Sequence, residues 1–510
     1  MRYYLGLDNG GTNTKAALFD LNGNLLDVAS RTTRALNPAP GVVERDMDDM
    51  WRDNCAVLKD LLAKTGVDPA DIAGVACCGH GKGLYLWGND DRPVRNGILS
   101  SDNRAWEYPR KWAADGTEKK VFALSAQHIL ACQPVALLAW MKDNEPEKYS
   151  EIKWIFSCKD YVRFRLTGTP NSETTDCSGS NLMNLHTKRH DKDLLELMGI
   201  GEMYACLPPL KLAADVCGGV SAEAARETGL APGTPVAGGM FDIDACAIAV
   251  GVTDEARICM IAGTWSINEY IRPKPVVDGS VLLNSLFCLP EYYLIEESSP
   301  TSAANNEWFI QTLLPEVKEE AEKQGKSIFD LTNQWVGSIA ADEFCPVFLP
   351  FTLASNVHPL AKASFVGISS YHTRAHLMRS VYEGIAFCHR YHLDKLMATR
   401  ETPVDCVRLA GGVVRSPVWV QMFADVMELP VEVVDVSETG TLGCAIAAAV
   451  ATGAYPDYPT AVKAMVRVDK RVDPVAANSA AYRKKYQAYR RVIELLDPLW
   501  DEIQPLMQKR

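Results

Sequence analysis

The chain has 510 residues, which at roughly 150 residues per domain points to about two to four domains rather than one core. Its 47% apolar and 23% charged residues are those of a folded globular protein and exclude disordered, collagen-like and coiled-coil chains. Asp and Glu number 64 against 52 Lys and Arg, a net charge of −12, which speaks against a nucleic-acid footprint or a surface attracted to anionic lipid.

The first apolar stretch is broken by Asp8 short of a signal-peptide core. The most apolar long stretch, 440–455, holds only about half of the roughly 20 apolar residues a membrane span needs. Fifteen Cys without a CxxC pair suit a reducing cytoplasm and suggest neither disulfides nor a zinc site.

Residues 3–7 read as a strand that runs into the polar turn Asp8-Asn9-Gly10-Gly11-Thr12-Asn13, and 15–20 read as a second strand. Asn22-Gly23 offers a further hairpin turn, and 50–65 shows helical spacing in Trp51, Val57, Leu58, Leu61 and Leu62. Residues 72–78 form a buried strand ending in Gly79-His80-Gly81-Lys82-Gly83, a loop at the carboxyl end of a sheet strand, where sites in α/β folds collect. Another buried strand, 234–239, leads into Met240-Phe241-Asp242 and a small-residue helix over 244–250. The opening pattern then recurs as strand 257–261, turn Ala262-Gly263-Thr264-Trp265-Ser266 and extended 268–271, an internal duplication with its boundary near Gly251. Strand 407–410 ends in Gly411-Gly412, and strand 431–434 leads to Glu438-Thr439-Gly440 and an Ala-rich helix over 443–451, all assigned to the second half. After Pro456 the tail is expected to be helical, with Tyr482, Tyr486, Tyr489, Ile493 and Leu496 on one face and Arg483-Lys484-Lys485 on the solvated side.

The first turn joins a carboxylate, two glycines and the donors Thr12, Asn13, Thr14 and Lys15, a composition suited to phosphate and a metal ion. A plain polar hairpin is the competing reading. The second turn at Gly263-Thr264 favours phosphate, because paired hairpin turns from duplicated halves are what actin-like ATPase folds use on a polyphosphate. Gln324-Gly325-Lys326-Ser327 is not a P-loop, since Glu320 stands where its first glycine belongs. Gly79, Gly81 and Gly83 do not make GxGxxG, whose last glycine would be at Leu84. Asp242, after a buried strand and two glycines, fits a general base that takes the proton of an attacking hydroxyl, or else an N-cap, a role Asp244 fills equally well.

These residues resemble the FGGY family of carbohydrate kinases along essentially the whole chain. Ala363-Ser364-Phe365-Val366-Gly367-Ile368, a gap, and His376-Leu377-Met378-Arg379-Ser380-Val381-Tyr382-Glu383 resemble the family's C-terminal signature at every restricted position. Pro134 and Leu138-Ala139-Trp140 fit the N-terminal one, with Leu137 in place of the usual Lys and Cys132 in place of an aromatic or small residue. The resemblance implies that Asp8 and Gly10, Gly11, Thr12, Asn13, Thr14 and Lys15 face ATP phosphates and Mg²⁺, with Asp8 toward the metal, and that Asp242 is the catalytic base. It implies that Gly263 and Thr264 form the second phosphate turn, that Gly411, Gly412, Ser416 and Gln421 bind adenosine, and that His80, Lys82, Asp102 and Asp242 contact the sugar. Lys82 stands where D-xylulose kinases carry His, and Gly-Lys-Gly-Leu, Ser-Ser-Asp and Ala-Gly-Thr-Trp are most similar to L-xylulose kinases. An ion pair of Lys82 with Asp102 is the alternative to a sugar contact.

The expected fold is α/β, with two RNase-H-like (actin-like ATPase) domains over 1–251 and 252–455, a helical tail over 456–510, and ATP and sugar meeting in a cleft. The expected reaction is ATP-dependent phosphorylation of a primary hydroxyl of a ketose, L-xylulose first. Alternatives are the acidic ketose 3-keto-L-gulonate, D-xylulose or another polyol, and, from other classes, an actin-like ATPase with a conformational output or a silent sugar sensor. Partners are a small sugar and ATP, neither nucleic acid nor membrane, with a homodimer left open; the cofactors are ATP and Mg²⁺.

Overall fold

The computed structural model describes residues 2–355 and 357–507, so Met1 and the tail residues 508–510 of the expected segments lie outside the described residues. In chain order, the elements that position the chemistry are β1 (Tyr3–Asn9), β2 (Asn13–Asp20), β3 (Leu25–Thr32), α1 (Met47–Thr65), β4 (Ile72–Gly79), α2 (Cys158–Thr167), α3 (Thr174–Ser178), β5 (Val216–Gly219), β6 (Pro235–Ala237), β7 (Met240–Phe241) and α4 (Asp242–Ala249). The repeat follows as β8 (Arg257–Ala262), β9 (Ser266–Arg272), β10 (Tyr293–Ser299), α5 (Arg374–Ala398), β11 (Cys406–Ala410), α6 (Pro417–Met427), β12 (Val431–Val434), α7 (Thr439–Ala451), β13 (Val468–Val472) and α8 (Ala476–Met507).

The chain forms two compact units, one of Met1–Thr253, Ile271–Ile295 and Val436–Arg467, the other of Asp254–Tyr270, Glu296–Asp435 and Val468–Arg510. The sheet of the first runs β5-β6-β4-β1-β2-β3, with β7 also paired to β4. The β1–β2 hairpin is antiparallel, β1–β4 and β4–β6 are parallel, and β6–β5 is antiparallel. The second sheet repeats this: β8–β9 antiparallel, β8–β11 and β11–β12 parallel, β12–β13 antiparallel. That identity of strand order and sense is the duplication expected from the recurring strand–turn–strand pattern.

Two expectations change. The Ala-rich helix, placed with the second half, is α7 and packs in the first unit against β1, β4 and α4. Its small residues allow backbone contact: a methyl on Gly6 of β1 would stand 2.0 Å from the Thr441 carbonyl, and one on Gly443 would stand 2.2 Å from that of Ala245. The tail is not all helix. Its helix Tyr458–Met465 belongs to the first unit, and β13 closes the edge of the second sheet before α8 begins. On α8, Tyr482, Tyr486, Tyr489 and Ile493 are buried as the helical spacing requires, while Lys485 pairs with Glu383 at 2.8 Å rather than standing free. None of the fifteen cysteines is in a disulfide, and among the described residues no helix is long and apolar enough to cross a membrane.

Candidate active site

The β1–β2 hairpin sets Asp8 directly across from Lys15 and Asn9 across from Thr14. Its turn is held from below by the buried Arg45, whose Nη2 donates to the carbonyls of Gly11 (2.6 Å) and Gly10 (3.2 Å) and to Thr33 Oγ1 (2.8 Å). Tying down the carbonyls leaves the turn's outer surface, with Gly11 and Thr12 exposed, available to a ligand. Thr14, expected as a ligand donor, is buried and gives its hydroxyl to Asn9 Oδ1 at 3.4 Å. Lys15 Nζ meets Glu438 Oε2 at 2.8 Å, just ahead of α7. Asp8 is partly buried, and its proton affinity is raised by burial and by Glu438 against the opposing Lys15 and Cys78. A methyl on Gly440 would stand 2.6 Å from Asp8 Oδ2, so the glycine makes room for this carboxylate.

Asp242 is the first residue of α4; the cap position is Phe241, which has no side-chain oxygen, so neither Asp242 nor Asp244 is the N-cap. Burial, then the charges of Asp8 and Asp176, hold its proton affinity well above the usual carboxylate range, and Lys82 opposes them. The side chain is still partly accessible. Phe241 fixes its neighbourhood. A methyl on Gly81 would stand 2.2 Å from that ring, and Lys82 Nζ lies 5.7 Å from the ring centroid on a backbone of φ 63°.

His80 is buried and neutral, its pKa lowered to about 4 chiefly by burial and next by Arg45. Its Nδ1 donates to the Gly81 carbonyl at 3.3 Å, and its Nε2 accepts from Tyr85 at 2.8 Å. Asp102 is not brought to Lys82. It accepts from the Val43 N–H at 2.7 Å and from Arg104 Nη2 at 2.8 Å, with its side chain wholly buried. Among the described residues no carboxylate lies within ion-pair distance of Lys82, so the alternative pairing with Asp102 is not formed.

In the second unit the β8–β9 turn is anchored where Gly263 and Thr264 carbonyls accept from the N–H groups of Ala303 and Ser302, both at 2.8 Å, and Thr264 is exposed. Gly411, at φ 94°, lies against this turn, since a methyl there would stand 2.4 Å from the Ala262 carbonyl, whereas Gly412 faces open space. Ser416 and Gln421 have structural partners: Ser416 caps α6 and donates to Asn333 at 2.6 Å, and Gln421 donates to Asp425 at 2.9 Å.

Sequence reasoning missed a buried charged group under Asp242. Lys159 and Arg163 of α2 meet Asp160, Glu173 and Asp176, with Lys159 Nζ at 2.8, 3.2 and 3.6 Å from the three carboxylates. Two cations face three carboxylates, and burial with the excess negative charge pushes Asp176 up to about 7. A cleft of about 800 Å³ on the first unit, lined by Trp87, Arg95 and Arg165 among others, touches none of these residues. Chemistry rather than void volume locates the site.

The N-terminal domain of the FGGY family of carbohydrate kinases matches residues 3–249, and the family's C-terminal domain matches residues 258–452. The chain belongs to the FGGY family of carbohydrate kinases. As an FGGY kinase it is a sugar phosphotransferase, of a family with ATP as phosphate donor. It is similar to an L-xylulose/3-keto-L-gulonate kinase of Escherichia coli (strain K12), 38% identical over 97% of each chain. A probable L-xylulose kinase of Pasteurella multocida (strain Pm70) is 35% identical over 97% of this chain and 99% of that one. Among solved structures, a xylulose kinase from Rhodospirillum rubrum aligns with a TM-score of 0.85 at 26% identity over 98% of this FGGY chain and 100% of that chain. The match to the family's C-terminal domain includes α7, which in the structure serves the first unit's sheet.

Proposed function

We propose that this FGGY kinase transfers the γ-phosphate of ATP to a primary hydroxyl of a ketose, L-xylulose first, with Asp242 as general base. The observation that carries the assignment is the raised proton affinity of a partly accessible carboxylate at the end of β7, with a second carboxylate, Asp8, acting on it. A base of that kind takes a proton from a hydroxyl more readily than an ordinary surface Asp. The choice of sugar is supported by the names of the similar kinases.

Asp8, with Glu438 beside it, fits Mg²⁺: carboxylate oxygens are its preferred ligands, and a carboxylate whose charge is under-compensated favours a cation. When bound, Mg²⁺ neutralises charge on the phosphates. Gly10, Gly11, Thr12 and Asn13 present the turn that cradles phosphate, and Lys15 exchanges Glu438 for a phosphate oxygen. In the second unit the backbone at half-buried Gly263 and at exposed Thr264, Gly411 and Gly412 is assigned to the nucleotide. Asp242 removes the hydroxyl proton as the oxygen attacks phosphorus in line, and His80, neutral, orients the sugar by hydrogen bonds alone. Fifteen thiols with no disulfide among them support a cytoplasmic setting.

A second reading, an acidic ketose such as 3-keto-L-gulonate, is favoured by the Lys82 ammonium, which has no carboxylate partner within ion-pair distance among the described residues. ATP consumption with L-xylulose, 3-keto-L-gulonate, D-xylulose, other polyols and no sugar separates these. L-xylulose-dependent turnover is expected, with Asp242→Asn lowering kcat roughly 10²- to 10⁴-fold while sugar binding persists. Near-normal turnover in Asp242→Asn would remove the base, and equal ATP consumption without sugar would replace the kinase by an ATPase with a conformational output.

A further inference from the structure

The short connection that delivers Asp242 is gripped from two sides. On one, Arg163 Nη1 donates to the carbonyl of Gly238 and Nη2 to that of Asn171. On the other, the N–H of Phe241 donates to Thr175 Oγ1 at 2.9 Å. The Thr175 hydroxyl in turn donates a hydrogen bond to Glu173 Oε2 at 2.7 Å, and the Thr175 N–H donates to Glu173 Oε1 at 2.9 Å. Glu173 in turn pairs with Lys159, and all of these side chains are buried. The bonds therefore converge on Glu173: the Phe241 N–H donates to the Thr175 hydroxyl, that hydroxyl donates to the carboxylate, and the Lys159 ammonium faces the same carboxylate from the other side.

A buried network of five charges is a poor way to stabilise a fold, because desolvation takes back most of the Coulomb energy and apolar packing of equal volume does as well. What this one does locally is orient a single hydroxyl lone pair onto the amide next to Asp242. The Asp242 side chain leaves the backbone one residue after that amide, at the first position of α4, which has no side-chain cap to fix it. Without the Thr175 acceptor the Phe241 N–H is left buried and unpaired, and the end of β7 can shift to find another partner.

We propose that Thr175 is a positioning residue of this kinase: with Glu173 and Lys159 behind it, its hydroxyl holds the Phe241 amide, and so the Asp242 carboxylate, in register for proton abstraction. The proposal rests on Asp242 being the base. Misplacing a catalytic group by about 1 Å costs on the order of 100-fold in rate.

The test is steady-state kinetics with ATP and L-xylulose on Thr175→Val, which keeps the shape and removes the acceptor, and Thr175→Ser, which keeps the hydroxyl, beside Asp242→Asn. Expected are a roughly 10- to 100-fold fall in kcat for Thr175→Val with the KM for sugar within about threefold, and recovery in Thr175→Ser to within a few-fold of the parent. Where Thr175→Val does not fold, Thr175→Ala is read by the same split of kcat and KM. Unchanged kcat in the Val or Ala variant, or a Ser variant as slow as the Val one, overturns the positioning role while Asp242→Asn stays inactive. Active Asp242→Asn overturns the base itself.

Discussion

Asp242 shares its surroundings with the carboxylates of Asp8 and Asp176 and with one cation, Lys82. With Asp242 as the proposed base, which works only when unprotonated, kcat/KM is expected to rise with pH through the titration of this group. Asp176 lies 3.6 Å from Lys159 Nζ, and Asp176→Asn, nearly equal in shape, removes its charge. Less negative charge nearby favours ionised Asp242, so the acidic limb of the pH profile should move to lower pH. An unmoved limb would mean that Asp176 does not act on the base. Lys82→Met is expected to lower kcat/KM by about 1.5–3 kcal/mol on a sugar whose group pairs with the ammonium, leaving the KM for ATP unchanged. A loss confined to acidic ketoses identifies a carboxylate partner, an equal loss on neutral ones a hydroxyl, and no loss on any sugar removes Lys82 from specificity.

At the scale of elements, α7 lies against β1 and α4 through glycines whose neighbours are backbone atoms that cannot turn aside. Gly6→Ala and Gly443→Ala should therefore destabilise the protein by at least about 1–3 kcal/mol, read as a lower denaturation midpoint. Gly440→Ala differs: its neighbour is the Asp8 side chain, so it should lower kcat more than stability, and a purely structural effect would contradict the room-making role. The strand–turn–strand units, both glycine-ended loops and the position of Asp242 were legible, because turns and strand ends are written in local sequence. What α7 packs against was not. A helix apolar on every side announces burial but not its partner. Thr14 was misjudged as a ligand donor although it alternates with Ala16 and Leu18 along β2 and so faces the interior with them. Lys159 and Asp160 were overlooked because adjacent charges usually mark a solvated face. Their setting between the buried Cys158 and the apolar Tyr161 and Val162 was the available sign.

Over the whole molecule, buried neutral histidines tie stability to pH. His389 is held at about 3 by burial and by His392, with Nδ1 bonded to Asn268 at 2.7 Å and Nε2 accepting from Ser302 at 2.9 Å. Its folded pKa is depressed, so the unfolded chain takes up a proton that the folded chain refuses, and this contribution is lost as pH falls from about 6.5 toward 3. His389→Gln should thus lower Tm most above pH 6.5, with the gap to the parent narrowing toward pH 4. A gap that widens in acid would reverse the sign. Asp176, raised to about 7, acts the other way, its contribution fading as pH climbs from about 4 to 7.

The path of the chain also fixes an order of assembly. The first unit is not complete when its first 253 residues exist, since α7, which covers β1 and β4, is made only after the long stretch that belongs to the second unit. At 5–20 residues per second the roughly 200 residues from there to the end of α7 take about 10–40 s on the ribosome. Through that interval the strands carrying Asp8 and the His80 loop have one face bare. A transcript cut at the duplication boundary is therefore expected to yield a complete sheet with one face uncovered, prone to aggregate, rather than a small folded domain, and a ribosomal pause to be better tolerated after residue 451 than before it.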